Sequence, residues 1–343
     1  MRVKKIGIVS LSSGVLGEDF VAHEVKIGIE RLKKYGIEVE FLPNSKKGIE
    51  FIKNSPEARA KDLIKAFKDD SIDMILCAIG GDDTYRLLPY LFENNELKMA
   101  VKQKIFLGFS DTTMNHFMLN KVGIKTFYGQ AFLPDVCELS NEMLPYSKRF
   151  FEELINTGKI KEIYPSDVWY NEREDFSEKA IGISMKEHHN SGFELLRGNA
   201  KFEGQILGGC LETIFDIFDN SRYEDTVSLC QKYNLFPSLN EWENKILLLE
   251  TSEERPKPEL FRKMILKLQE YGIFDVISGL IIGKSQNEEY YEEYKQILLD
   301  EIKNQDLSIV YNINVGHSTP RCIIPFGVDA KVDVEKQIIE FKE

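Results

Sequence analysis

Two stretches of the chain decide its fold: residues 73–83, DMILCAIGGDD, and residues 104–113, KIFLGFSDTT. Each contains a short apolar run of the kind that forms a fully buried strand, and each run ends in glycine and polar residues. Helical spacing follows in both cases, over Thr84–Leu91 and Thr112–Lys121. A strand that leads through a tight turn into a helix, repeated along the chain, predicts a parallel sheet with helices on both faces.

The same alternation extends toward the amino terminus. Lys5–Leu11 and Ile37–Leu42 have the pattern of strands, and Glu18–Tyr35 and Pro56–Asp69 have the spacing of helices. We therefore expect an α/β protein whose N-terminal domain is a Rossmann-like parallel sheet. In such sheets, ligands bind beyond the carboxyl ends of the strands.

The pattern changes after Phe127. Leu144–Asn156 predicts a connecting helix, and we place the domain boundary so that residues 1–165 and 166–343 form separate domains. The second is expected to be a smaller, mixed α/β domain, with the active site at the domain interface. Its predicted elements are strands at Ile246–Leu249, Ser278–Ile282 and Ser308–Asn312, helices at Pro258–Tyr271 and Tyr290–Asn304, and a closing strand pair within Lys331–Phe341.

Composition excludes several classes of protein. The 343 residues carry 44 Lys and Arg against 56 Asp and Glu, a net charge of −12, which argues against a nucleic-acid polymer or an anionic membrane as partner. No uninterrupted apolar window of about 18 residues is present. The five cysteines are odd in number and include no CxxC pair, so zinc and disulfide frameworks are not supported. Reduced thiols predict a cytoplasmic location.

Polar residues with catalytic potential follow the predicted strands. Ser110, in GFSDTT, lies where a strand turns into a helix, so its hydroxyl could project from the sheet edge beside the free N–H of Asp111. Alternatively, Ser110 or Asp111 simply caps the helix. Gly80 and Gly81 also follow a buried strand, where they form either a ligand cradle or an ordinary tight turn.

Three further positions lie in the C-terminal half. His317 follows a strand beside a glycine, which suits a general base. Glu250 ends the apolar run ILLL and could orient an imidazole, or could be a simple charge at the end of a strand. Cys210 has no basic neighbour in sequence and reads as structural. His188 and His189 are adjacent, which does not favour a shared metal ion.

Five motifs in a fixed order carry a family resemblance. They are GGDDTYRLLPYL (80–91), GFSDTT (108–113), GGCLET (208–213), LLLETSEE (247–254) and NVGHSTP (314–320). Together they resemble the serine peptidase family that contains the LD-carboxypeptidases of murein recycling and the microcin C immunity peptidases. The resemblance spans nearly the whole chain.

The resemblance implies a catalytic triad of Ser110, Glu250 and His317 that needs no metal and no cofactor. It implies backbone N–H groups of Asp111 and of the Gly81-Asp82 turn as oxyanion donors, with Gly80 at the substrate. It also implies a homodimer. Arg86, Arg197, Arg255 and Arg321 could each bind a substrate anion, and the sequence does not distinguish among them.

GGCLET and LLLETSEE look more like the immunity branch, which implies hydrolysis of an amide between an acidic aminoacyl group and a nucleotide-like moiety. Trp169 falls in the segment that forms a substrate loop in that branch, where its ring could stack on a nucleobase or merely anchor the loop. The alternative substrate is a murein tetrapeptide that loses its terminal D-amino acid. The alternative to an enzyme is a different class of protein, a non-catalytic small-molecule binding protein.

Overall fold

The computed structural model describes residues 2–342 and contains two large sheets and one hairpin. Its strands, in chain order, are β1 Lys5–Val9, β2 Glu38–Phe41, β3 Met74–Cys77, β4 Ile105–Gly108, β5 Thr126–Tyr128, β6 Glu162–Ile163, β7 Val168–Tyr170, β8 Glu187–His189, β9 Glu194–Arg197, β10 Lys201–Cys210, β11 Ile246–Glu250, β12 Gly279–Gly283, β13 Ile309–Ile313, β14 Ile324–Phe326, β15 Asp329–Asp333 and β16 Ile338–Phe341.

Helices connect most of these strands. They are α1 Ala22–Lys34, α2 Ile49–Asn54, α3 Pro56–Lys68, α4 Leu88–Phe92, α5 Glu96–Ala100, α6 Thr113–Lys121, α7 Pro145–Thr157, α8 Leu211–Asp216, α9 Thr226–Lys232, α10 Leu239–Trp242, α11 Pro258–Tyr271 and α12 Tyr291–Glu301. In the part of the chain that the structure covers, no helix is long and apolar enough to cross a membrane.

The first sheet has the strand order β14-β5-β4-β3-β1-β2, and its five N-terminal strands are all parallel. Strands β3 and β4 are fully buried, as their continuous apolar runs predict. The parallel arrangement brings the carboxyl ends of β1, β3, β4 and β5 to one edge. This confirms the expected Rossmann-like domain.

The second sheet has the order β6-β16-β15-β10-β11-β12-β13-β9, with β10 to β13 parallel and the outer strands antiparallel. With eight strands it has two more strands than the first sheet. Its size comes from the turn-rich stretch 160–204, whose short polar strands do not have the apolar runs that make strands easy to predict.

The two sheets exchange strands across the predicted boundary. Strand β14 pairs antiparallel with β5 of the first sheet, and β6 pairs with β16 of the second. A single cut between residues 165 and 166 therefore separates each of these short strands from its sheet. The chain therefore passes between the two sheets three times: from β5 to β6, from β13 to β14, and from β14 to β15.

One helix begins later than its sequence pattern predicts. Residues 15–21 form two single turns of 3-10 helix before α1 starts at Ala22. Glu18 explains the difference, because its side chain accepts a hydrogen bond from the backbone N–H of Ile49 at 2.7 Å. This contact ties the segment to the first residue of α2 and holds it out of the helix.

Candidate active site

Ser110 lies on a tight turn between β4 and α6, two residues after the strand ends. Its φ is +64°, a left-handed backbone conformation that a residue with a side chain adopts only at a cost of order 1 kcal/mol. The turn aims the hydroxyl away from the sheet edge and toward the second sheet. This is the geometry expected for a nucleophile held at a strand-to-helix elbow.

A chain of hydrogen bonds connects Ser110 to the second sheet. Ser110 Oγ lies 3.0 Å from His317 Nε2, and His317 Nδ1 lies 2.8 Å from Glu250 Oε2. The same carboxylate oxygen accepts the backbone N–H of His317 at 3.1 Å. Because a carboxylate can only accept, Nδ1 carries a hydrogen. Serine, imidazole and carboxylate thus stand in the order that nucleophilic acyl transfer requires.

Gly316 allows the close approach of this loop to Glu250. Its φ is +74°, and a Cβ built at this position would lie 2.2 Å from Glu250 Cδ. Any side chain at residue 316 would therefore push the imidazole-bearing loop away from the carboxylate. The glycine that precedes the histidine is required by contact as well as by backbone conformation.

Tyr128, which was not predicted from the sequence, joins the two halves of the site. Its hydroxyl accepts the backbone N–H of Ser110 at 3.2 Å and donates to Glu250 Oε1 at 2.6 Å. The ring is fully buried and stacks on Phe326 of β14, with centroids 5.3 Å apart. Its position at the carboxyl end of β5, beside β4, is the sequence signal that could have identified it.

The side chain of Asp111 holds together the loops that surround Ser110. It accepts hydrogen bonds from the Ser12 hydroxyl, from Thr84 N–H at 2.9 Å and from Thr84 Oγ1 at 2.6 Å. Burial raises the pKa of Asp111, although these hydrogen bonds act in the opposite direction. The carboxylate thereby joins the ends of β1, β3 and β4.

Gly80 and Gly81 bring the loop after β3 against Ser110. A Cβ at Gly80 would lie 2.6 Å from Ser110 Cβ, 2.7 Å from Ser110 Oγ and 3.4 Å from the backbone N of Asp111. Arg59 of α3, which is fully buried, fixes this loop through an ion pair with Asp83 and a hydrogen bond to Leu11 O at 3.2 Å. The backbone beside Ser110 is thus crowded and held from two sides.

Glu253, in the loop after β11, also reaches the imidazole. Its Oε2 lies 2.9 Å from His317 Nε2, although its side chain is 65% exposed. Burial alone would lower the pKa of His317, but Glu250 and Glu253 outweigh it and raise this pKa from 6.5 to about 10. The hydrogen bond to His317 in turn lowers the pKa of Glu253 to about 2. The two carboxylates therefore favour the imidazolium form of His317.

A cavity of about 710 Å³ opens above Ser110 and His317. Apolar groups form much of its wall, among them Phe20, Phe109, Leu133 and Phe176. Its charged lining is mixed, with five carboxylates and three guanidinium groups: Glu24, Glu138, Glu172, Glu174, Glu253, Arg173, Arg255 and Arg321. The volume suits a small ligand with both apolar and charged parts.

Two of the four candidate arginines line this cavity. Arg321 is nearly buried and lies over the ring of Phe109, 4.8 Å from its centroid, while Arg255 is about half exposed. Arg86 instead contacts Tyr85 and Tyr223, and Arg197 contacts Ile302 O, both outside the cavity. Arg173, which also lines the cavity, was not predicted from the sequence because its loop has no distinctive motif.

Trp169 does not reach the cavity. It is buried in β7, stacks on His188 with ring centroids 4.2 Å apart, and has Lys284 Nζ 5.1 Å from its own centroid. This arrangement fits the loop-anchor interpretation rather than stacking on a nucleobase. The reason is local pairing, since the β7–β8 hairpin places Trp169 opposite His188.

Cys210 lies beside the triad residues. Among residues 2–342, one group of side chains has metal-ligand spacing: Cys210, Glu250 and His317, with ligand atoms within 4.8 Å of one another. Burial, together with the carboxylates of Glu212 and Glu250, holds the pKa of the Cys210 thiol well above its ordinary value. The thiol is therefore a poor nucleophile and a poor metal ligand. These surroundings fit the prediction that Cys210 has a structural role.

Comparisons with known proteins find matches to both halves of the chain. Residues 6–129 match the model of the LD-carboxypeptidase N-terminal domain, and residues 203–332 match that of the C-terminal domain. The crystal structure of an MccF-like protein from Streptococcus pneumoniae in complex with AMP is 66% identical, with a TM-score of 0.98 and coverage of 99% of both chains.

More distant relatives carry both kinds of name found in the family. The microcin C7 self-immunity protein MccF of Escherichia coli is 24% identical, over 92% of this chain and 87% of its own length. The putative carboxypeptidase YocD of Bacillus subtilis is 25% identical, over 97% and 95%. On the two domain matches and the 66% identity, this chain belongs to the LD-carboxypeptidase family of peptidases, S66.

Proposed function

We propose that this protein is a serine amidohydrolase in which Ser110 is the nucleophile, His317 the general base and Glu250 the group that orients the imidazole. The observation that carries the proposal is the hydrogen-bonded chain from Ser110 Oγ through His317 to Glu250, at 3.0 and 2.8 Å, at the floor of a cavity. No metal or cofactor takes part in the proposed reaction.

In the proposed mechanism, neutral His317 takes the Ser110 proton at Nε2 while Oγ attacks the carbonyl carbon of an amide. His317 then gives this proton to the leaving nitrogen, and the C–N bond breaks to leave an acyl-serine. A water molecule attacks the ester with His317 again as base, which releases the carboxylic acid and restores Ser110. Glu250 stabilises the imidazolium formed in each half of the reaction.

The backbone N–H groups of Asp111 and of the Gly81-Asp82 turn are the proposed oxyanion donors. Asp111 lies in the first turn of a helix, where the amide groups have no partner within the helix. The close approach of Gly80 to Ser110 and to the Asp111 nitrogen supports the pairing of these two loops. Loss of one such donor typically raises the barrier by about 3 kcal/mol.

The proposed substrate joins an acidic aminoacyl group to a nucleotide-like moiety through an amide or an analogous bond. Two comparisons support it: the 66% identical MccF-like protein was solved with AMP, and MccF itself was solved with aspartyl sulfamoyl adenosine. The apolar wall and the cationic Arg321 suit a nucleoside with an anionic linker. Phe20 and Phe176, both well exposed in the cavity lining, replace Trp169 as the rings proposed to stack on the base.

A mass-spectrometric hydrolysis assay tests the proposal. Wild type and Ser110→Ala are each given aspartyl sulfamoyl adenosine and, separately, a murein tetrapeptide. We expect wild type to release the amino acid from the nucleoside compound, and the variant to lose at least a thousandfold in kcat, because the nucleophile is absent. Equal turnover by the two proteins would overturn the proposed role of Ser110.

The second candidate is a carboxypeptidase that removes a terminal D-amino acid from the murein tetrapeptide. The family description and the carboxypeptidase names of several relatives favour it. Release of the D-amino acid alone would assign this activity.

A ligand bound without Ser110-dependent turnover would instead favour the small-molecule binding protein. A homodimer and a cytoplasmic location stay predictions.

A further inference from the structure

One charged group in the cavity has no place in the mechanism above. Glu253 Oε2 lies 2.9 Å from His317 Nε2, the same nitrogen that faces Ser110 Oγ at 3.0 Å. The triad already has its carboxylate, Glu250, on the other side of the ring. Glu253 therefore occupies the side of the imidazole from which a substrate must approach.

This contact leaves the base unable to act. The Glu253 carboxylate beside Nε2 favours the imidazolium form of the ring, in which Nε2 carries a hydrogen. Since Nδ1 also donates to Glu250, the ring then has no lone pair with which to take the Ser110 proton. Catalysis therefore requires Glu253 to leave His317, and a substrate that attracts Glu253 would promote this step.

We infer that Glu253 binds the free α-ammonium group of the acyl residue of the substrate, and that this exchange frees His317 to act as the base. The inference rests on the proposed function. It assigns Glu253 as a specificity-determining residue for substrates whose scissile carbonyl belongs to an amino acid with an unblocked α-nitrogen. In a murein tetrapeptide that nitrogen is an amide, so Glu253 favours the aminoacyl substrate.

The distances suit this exchange. In an aminoacyl group the α-nitrogen is two bonds from the carbonyl carbon, roughly 2.5 Å away. A carbonyl carbon within reach of Ser110 Oγ therefore places its ammonium near the space that Glu253 now shares with the imidazole. The charges also balance: Glu253 exchanges the imidazolium for the ammonium group, and the proton of Nε2 passes to water.

The loop that carries Glu253 is anchored on both sides of it. Ser252 N–H and Oγ donate to Glu212 at 2.9 and 2.6 Å, and Glu254 pairs with Arg222 at 3.1 Å. Between these anchors, the exposed side chain of Glu253 can change rotamer without moving the backbone. The exchange therefore needs no large conformational change.

Few other charged or titratable groups face His317 and Glu253. On the imidazole side they are Glu250 of β11 and the buried, protonated thiol of Cys210. On the carboxylate side the cation of Arg222 contributes in the same direction as the imidazolium. Removal of the Glu253 charge therefore lowers the pKa of His317, since one of the two carboxylates that raise it is lost.

The test compares aspartyl sulfamoyl adenosine with its N-acetyl derivative, using wild type and Glu253→Gln. Wild type should prefer the free amine at least tenfold in kcat/KM, and the variant should retain a preference below about threefold. Glu174→Gln is the matched control, since it removes a carboxylate from the same cavity and should keep the wild-type preference. Ser110→Ala must abolish turnover of both compounds.

The pH dependence of kcat/KM provides a readout that a merely structural role would not move. The acidic limb reports deprotonation of His317 in the free enzyme. We expect this limb at lower pH in Glu253→Gln than in wild type. An unchanged limb, or equal rates for free and acetylated substrates in wild type, would overturn the inference while leaving the Ser110 hydrolase intact.

Binding keeps the inference testable without turnover. Calorimetry with Ser110→Ala should show tighter binding of the free amine than of the acetylated compound, and this difference should disappear in Ser110→Ala/Glu253→Gln. Equal binding of the two compounds to Ser110→Ala would contradict the role of Glu253. Absence of Ser110-dependent turnover with any substrate would instead contradict the proposed function.

Discussion

At the scale of single residues, one phenol connects the nucleophile to the carboxylate across the two sheets. The Tyr128 hydroxyl accepts from Ser110 N–H and donates to Glu250 Oε1, and it is buried. Two polar groups therefore depend on one oxygen atom. A buried group left without its partner costs about 1–3 kcal/mol.

Tyr128→Phe should lower kcat about ten- to a hundredfold with little change in KM, because Tyr128 orients Glu250 but does not line the cavity. Steady-state kinetics would measure this split. Tyr146→Phe is the control, since it removes the hydroxyl of a half-buried ring, bonded to Tyr164 O at 2.6 Å, outside the site. An effect confined to KM, or an equal loss of kcat in both variants, would contradict a positioning role for Tyr128.

Sequence reasoning located residues whose chemistry is conspicuous at the end of a strand. Ser110, Glu250 and His317 were expected together, and the structure brings them within hydrogen-bonding distance. Tyr128 and Glu253 were missed as partners because their contacts join distant parts of the chain. Trp169 was expected either to stack on a nucleobase, from its place in the resemblance, or to anchor the loop, and its ring is covered by His188.

At the scale of elements, the loop after β3 and the turn after β4 form one unit. Gly80 packs on Ser110 so closely that no side chain fits between them. The turn also depends on Asp111, whose carboxylate binds Thr84 from the same loop. The position of the nucleophile is therefore set by the neighbouring strand as well as by its own.

Gly80→Ala should reduce kcat by roughly a hundredfold, because the new methyl group would displace the hydroxyl and a misplacement of about 1 Å can cost that much. Gly36→Ala is the control: its φ is +74°, and a Cβ there meets nothing within 4 Å. That variant should lose about 1 kcal/mol of stability and keep its activity. Wild-type kcat in Gly80→Ala would show that the contact does not position Ser110.

The buried strands of the first sheet were predicted well because continuous apolar runs have few other interpretations. β3 and β4 begin and end within two residues of their expected bounds. The short strands β6 to β9 were not predicted individually, since polar segments of two to four residues carry no clear period. Their pairing is decided by tertiary contacts.

At the scale of the whole molecule, the site exists only where the two sheets meet. Ser110 and Tyr128 come from the first sheet, and Glu250 and His317 from the second. Strand β14, which follows the His317 loop, returns to pair with β5 beside Tyr128. This return crossing ties the loop that carries the base to the sheet that carries the nucleophile.

In the proposed mechanism, Ser110 and His317 act as one catalytic unit across this interface. The most direct measurement is kcat/KM for aspartyl sulfamoyl adenosine in Ser110→Ala, His317→Ala and the double variant. Residues that act as a unit lose about as much singly as together. We expect each single variant to be as inactive as the double variant. Losses that multiply in the double variant, or substantial turnover by His317→Ala, would contradict it.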